Sequence, residues 1–190
     1  MSRTKNLTLV ALFAALTAIG AFIQIPIPYV PFTLQYMFCA FAGILLGSKL
    51  GMLSQLLYVV IGLIGIPVFT QGGGPAYIFK PTFGYLIGFI IAAYVIGKIV
   101  ENQQKVSVKN LLIASMVGLF IIYLIGVPYL YVINKFYLGN QYTVYMSVLY
   151  GFIMCVGGDI VLSVIISLVG VKVMRAFKSI GYTKNDYSLR

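Results

Sequence analysis

Histidine is absent from the 190 residues, and Asp and Glu together number three. Without imidazole the chain lacks both the commonest general base and the commonest metal ligand. Glu101, Asp159 and Asp186 are the three acids, and only Asp159 stands inside an apolar run. Neither a nucleophile–base pair nor a pair of acids can be assembled from this supply, so the chain is not read as an enzyme. The two cysteines, Cys39 and Cys155, sit in apolar runs with no spacing motif between them. They read as small packing residues, with no disulfide and no metal site implied. Gly72–Gly74 resembles a phosphate loop only superficially. No Gly-Lys-Ser/Thr follows it and no soluble strand precedes it, so it predicts a flexible outer hinge. The chain therefore carries no nucleotide site of its own. Charge is scarce as well: 8% of residues are charged, against roughly 25% in a soluble domain.

Apolar sequence is what the chain has in abundance: 61% of residues are hydrophobic. Polar surface is too scarce to coat a water-soluble globule, so lipid must be the solvent and the length suits one membrane domain over residues 1–190. Six apolar stretches predict an all-α integral membrane protein of six transmembrane helices, at about 7–25, 32–47, 51–65, 82–97, 111–127 and 144–171. Several are near the lower length limit for a core about 30 Å thick. The first stretch ends at Pro26 and Pro28 without a small-residue cleavage site, which predicts a retained helix rather than a signal peptide. The net charge of +10 resides between and beyond the apolar runs. It reads as loop charge, not as a nucleic-acid surface. With the N-terminus inside, Arg3, Lys5, Lys49, Lys98, Lys105, Lys109, Lys172, Arg175, Lys178, Lys184 and Arg190 fall on the inner side. Only Lys80 and Lys135 fall outside. This bias predicts both termini in the cytoplasm of a multi-pass plasma-membrane protein. The outer connections would then be 26–31, 67–81 and 128–143, long and rich in aromatics and glycine.

Few residues in these runs can carry function. Asp159 lies 13 residues before Lys172, roughly 20 Å from the inner boundary if helical. An acid at that depth marks a functional site by default. Gly157 and Gly158 before it would admit a ligand or a neighbouring helix. Lys80, on the side poor in cations, either pairs with Asp159, receives an anionic ligand, or simply snorkels to the interface. Thr33 and Gln35 put polar groups where the second helix begins. They predict either contacts to an amide-like ligand or a helix cap. Phe32, Tyr29 and Tyr36 form an aromatic rim around them. Ala11, Ala14, Ala15 and Ala18 space small residues along the first helix at intervals that permit close helix approach.

Taken in order, Val30-Pro-Phe-Thr-Leu-Gln35, the Gly72–Gly74 loop, Pro81-Thr-Phe-Gly-Tyr-Leu-Ile-Gly-Phe89 and Gly158-Asp159 resemble the BioY family. These are the biotin-binding S components of energy-coupling factor (ECF) transporters, and the likeness spans most of the chain. It implies high-affinity capture of biotin from outside, with biotin as ligand and no cofactor. It also implies partners: a transmembrane coupling protein with two cytoplasmic ATPases, met through Ala14 and Ala18 on the first helix. Under it Asp159 accepts ureido N–H groups, Lys80 attracts the carboxylate, Thr33, Gln35 and Gly73 complete the polar set, and Phe32 and Tyr85 wall the apolar part. The sequence departs from the family where many members carry a lysine three residues after the Gly-Asp pair. Leu162 stands there, and Lys80 is the candidate replacement cation. The competing expectation is a small self-sufficient or proton-coupled carrier of a small organic anion or another vitamin that uses Asp159 as its relay.

Overall fold

A computed structural model describes residues 3–103 and 106–179. Lys105, Lys184, Asp186 and Arg190, which entered the sequence reading, lie outside the described residues. The described chain is mostly helical. Its elements are α1 (Arg3–Phe22), β1 (Gln24–Ile25), β2 (Phe32–Thr33), α2 (Gln35–Leu46), α3 (Ser48–Ile64), a 3-10 turn (Pro75–Phe79), α4 (Phe83–Glu101) and α5 (Val108–Val132). A π-helical turn over Ile133–Tyr137 continues α5. The last rod comprises α6 (Val144–Val148), a second π turn (Leu149–Ile153) and α7 (Met154–Ser179), without interruption. Six helical rods result among the described residues.

Four rods are long and apolar enough to cross a bilayer: Thr4–Phe22, Phe83–Glu101, Val108–Tyr137 and Val144–Ala176. The remaining two are shorter than these four; α3, with 17 residues, starts three residues earlier than the expected 51–65 stretch. α2 has 12 residues, about 18 Å of helix, which is too little for the ~30 Å hydrocarbon layer. It begins three residues later than expected because Phe32–Thr33 pairs antiparallel with Gln24–Ile25, and Ile25 is drawn out of the first helix for the same reason. Outward-facing Leu12, Ile19, Phe120, Leu124 and Val161 are exposed in the isolated chain, as side chains facing lipid would be.

The fifth rod also departs from expectation. Helix 111–127 was to end at Pro128, opening a long outer loop. Instead α5 runs through Pro128 and its π extension reaches Tyr137, leaving residues 138–143 as the connection. In hydrocarbon an interrupted helix strands several backbone groups, whereas an internal proline forfeits one hydrogen bond. Continuation is the cheaper solution.

The turn between α2 and α3 is a single residue, Gly47, at φ +82°, a conformation that favours glycine. Glu101 at the end of α4 closes this turn. Its Oε1 accepts from the Ser48 backbone N–H and its Oε2 from the Ser48 hydroxyl, both at 2.8 Å. A carboxylate there satisfies an open first-turn N–H of α3 and complements the helix dipole.

α1 packs on α2 and α3 with Phe13, Ala14, Thr17 and Ala21. Thr17 and Gln55, both fully buried, bond across α1 and α3 at 3.1 Å. Ala14, expected on a docking face, is 3% exposed and belongs to the core. Ala18 is partly buried against the same core. The alanines turned outward on α1 are Ala11 and Ala15. Sequence spacing gives both stripes equal standing, and only packing separates them.

Candidate ligand-binding site

The short α2 leaves a cavity above its N-terminus, bounded by α4, α5, α7 and the segments before them. The empty space it encloses is about 610 Å³, counting the open mouth. Phe32, Thr33, Gln35, Tyr85 and Asp159 all line it, so five of the seven predicted ligand-binding residues converge here from four elements.

Asp159 is on the second turn of α7, 8% exposed. The Tyr123 hydroxyl of α5 donates to its Oδ2. No ion pair accompanies it among the described residues. One turn on, the Ser163 hydroxyl donates to the Asp159 carbonyl at 2.8 Å and meets the Tyr36 hydroxyl at 2.7 Å. Tyr36 also reaches the Ser115 carbonyl at 2.8 Å. This polar seam ties α2, α5 and α7 together beneath the carboxylate and fixes its height. Gly158 is what lets the opposing wall close in. A β-carbon there would fall 2.6 Å from Phe32 Cε2 and 2.8 Å from Cζ, so the Phe32 ring lies directly on the α7 backbone beside the acid.

Across the cavity, Gln35 Nε2 donates to the Tyr58 hydroxyl at 2.9 Å, and Tyr58 donates to the Val68 carbonyl at 3.0 Å. Thr33 Oγ1 bonds Gln35 Oε1 at 3.1 Å and accepts from the Gln35 backbone N–H at 3.3 Å. Thr33 thus bonds the first residue of α2 from outside the helix while facing the cavity, and the N-cap residue, Leu34, makes no side-chain cap bond. Tyr85 fixes the upper wall: its hydroxyl donates to the Gly151 carbonyl of the second π turn at 2.8 Å. Tyr123 stands edge-on to Tyr85 and to Phe152, with centroids at 6.3 and 4.9 Å.

Two predicted residues are not brought here. Lys80 is exposed and faces a separate outer cavity with Tyr29, Gln71, Asn134, Tyr137 and Asn140. The partner of the Asp159 carboxylate is Tyr123, and Leu162, where many family members carry a lysine, is buried in the core. Gly73 is likewise absent from the lining. The Gly72–Gly74 turn is not the hinge expected of it. Phe69 and Gly72 exchange backbone bonds at 3.0 and 3.2 Å, and the Gly74 N–H reaches the Gly62 carbonyl at 2.7 Å, which fastens the turn to α3. Three glycines in a row look flexible in sequence, but their backbone groups here are spent on an ordered return.

Sequence reasoning missed Tyr123, Tyr58, Cys155 and the hydroxyls of Thr70, Tyr77 and Thr82, all but Tyr58 lining the cavity. Tyr123 could have been found as a hydroxyl deep within an apolar run, where it requires a partner. Among the described residues no group of three metal-ligating side chains occurs.

The comparisons with known proteins agree with this geometry. The sequence model of the BioY family matches residues 1–179. A protein described as a probable biotin transporter BioY from Lysinibacillus sphaericus is 47% identical over 93% of this chain and 90% of its own length. A putative biotin transporter, BioYB of Bacillus subtilis, is 34% identical over 98% of this chain and 96% of its own. Among solved structures, the crystal structure of the S-component for biotin from an ECF-type ABC transporter superposes with a TM-score of 0.76. It is 26% identical and covers 92% of this chain and 95% of that one. The family model spans residues 1–179, and relatives aligned over nearly their whole length are 34% and 47% identical: this chain belongs to the BioY family.

Proposed function

We propose that this chain is the biotin-capturing substrate subunit of an ECF-type importer, a binding protein of the membrane and not an enzyme. The observation that carries the reading is the single cavity in which one buried carboxylate and an amide–hydroxyl set meet between aromatic walls. Biotin presents two ureido N–H donors on a compact apolar bicycle, with a carboxylate on a flexible chain. Asp159 is the acceptor for an N–H, and a charged acceptor strengthens such a bond. Gln35 and Thr33 complete the polar contacts. Phe32 and Tyr85 enclose the apolar ring. Lys80, on the outer cavity, draws the anion toward the mouth by long-range attraction rather than by contact.

The distribution of Lys and Arg supports a plasma-membrane orientation with both termini inside, which puts the mouth outside. Transport then requires energy from another source, since the chain offers no nucleotide loop. The partners fitting that need are a membrane coupling protein and two cytoplasmic ATPases. The exposed Ala11–Ala15 stripe of α1, not Ala14 and Ala18, is the surface on which the coupling protein would pack.

Titration of the purified protein with biotin tests the reading. Sub-micromolar affinity is expected, weakened about tenfold or more by Asp159→Asn, since a hydrogen bond to a charged group is worth about 1.5–3 kcal/mol. Affinity no better than micromolar in a folded protein sinks it.

A further inference from the structure

The geometry points to a carboxylate-binding subsite made of the three hydroxyls of Thr70, Tyr77 and Thr82, inside the main cavity and distinct from Lys80. The inference rests on the biotin reading above. None of the described residues lining that cavity is basic. A carboxylate carried into it must nevertheless be hydrogen-bonded, because an anion stripped of water without donors is prohibitively costly. Asp159 repels it from the α5–α7 wall. The Gln35 amide and the Thr33, Tyr36, Tyr85 and Tyr123 hydroxyls are bonded elsewhere, which leaves the hydroxyls on the wall formed by α4 and the segments preceding it.

There Thr70 Oγ1 lies 3.1 Å from the Tyr77 hydroxyl, and the Tyr77 hydroxyl lies 3.1 Å from Thr82 Oγ1. Three hydroxyls in a row carry three protons, and the two bonds between them consume two. A carboxylate arriving at the row accepts those protons instead, as the hydroxyls rotate about their C–O bonds without any backbone movement. The row is held in place. Tyr77 is 3% exposed and its ring packs on Phe69 at 4.4 Å. Thr82 is 7% exposed and occupies the N-cap position of α4, yet its side chain makes no cap bond. Its hydroxyl is therefore committed to this row. The positive end of the α4 dipole adds a favourable field on the same wall. Acid on one wall and donors on another give the ligand a single direction: N–H groups toward Asp159, carboxylate toward Thr82.

The test is a titration of the purified protein with biotin and with biotinamide, in which a neutral carboxamide replaces the carboxylate. Wild type is expected to prefer biotin. Tyr77→Phe and Thr82→Val are each expected to weaken biotin about tenfold or more while changing biotinamide by no more than about twofold. Thr70→Val, at a half-buried position, carries the same expectation should either of the others fail to fold. Equal losses for both ligands would indicate a structural role and overturn the subsite, as would unchanged biotin affinity or a wild type that binds biotinamide as tightly as biotin. A folded wild type that binds neither ligand overturns the biotin reading itself.

Discussion

Asp159 persists in an apolar setting because its surroundings are built around it. Tyr123 supplies a donor to the carboxylate, Ser163 supplies one to its carbonyl, and the Phe32 ring screens it from the side. Gly158 is the residue on which this screen depends. Gly158→Val would put methyl groups where the ring now lies. Displacing a packed aromatic costs about 1–3 kcal/mol, so biotin affinity should fall about tenfold or more with the helical fold retained. Gly157→Ala is the matched control, since nothing lies within 4 Å of its added carbon, and it should change affinity by no more than about twofold. Equal losses at the two glycines would contradict the account. At this scale Asp159, Thr33 and Gln35 were legible because polarity in an apolar run is conspicuous and needs an explanation. Tyr123 was not singled out among 15 tyrosines, although its hydroxyl stands within an apolar run. The placement of Lys80 on a separate outer cavity was not legible for a different reason. Sequence gives depth along a helix, but which cavity a side chain enters depends on how the outer segments fold.

Between elements, the contacts that set helix ends are few and local. Gly47 turns α2 into α3 and Glu101 seals the turn through two bonds to Ser48. Replacing Glu101 by Ala removes both and leaves the Ser48 N–H to find water at a crowded position. A loss of about 1–3 kcal/mol of stability is expected, read as a lowered Tm of the detergent-solubilised protein. Biotin affinity should stay within about twofold, because Glu101 does not line the ligand cavity. An unchanged Tm would remove the cap from the account. Glycine and proline marked most element ends in the sequence. Pro128 did not, because the rule that proline stops a helix comes from chains that water can rescue, and α5 has none along its lipid-facing length. The π turns had no sequence signal. The second places its Gly151 carbonyl under the Tyr85 hydroxyl, a contact fixed only once α4 and the last rod are side by side.

For the whole molecule, the proposed docking of a coupling protein turns on the division of α1 into two faces. Its inner face, with Phe13, Ala14 and Thr17, holds α2 and α3 in place below the cavity. Its outer face carries Ala11, Ala15 and Ile19, which are exposed among the described residues. Ala14 and Ala15 are adjacent in sequence and about 100° apart around the helix, so one substitution at each separates the faces. Ala14→Leu adds volume to a packed core and should destabilise the bundle by about 1–3 kcal/mol. Ala15→Leu should leave Tm and biotin affinity unchanged, because the added side chain meets only lipid in the isolated subunit. In the assembled importer it should push the coupling protein away from a close helix–helix contact. Co-purification with the coupling protein and ATPases, scored beside biotin binding by the same preparation, distinguishes the two. Loss of assembly with retained binding for Ala15→Leu assigns docking to the outer face. Full assembly and transport by Ala15→Leu would place the coupling protein elsewhere on the bundle.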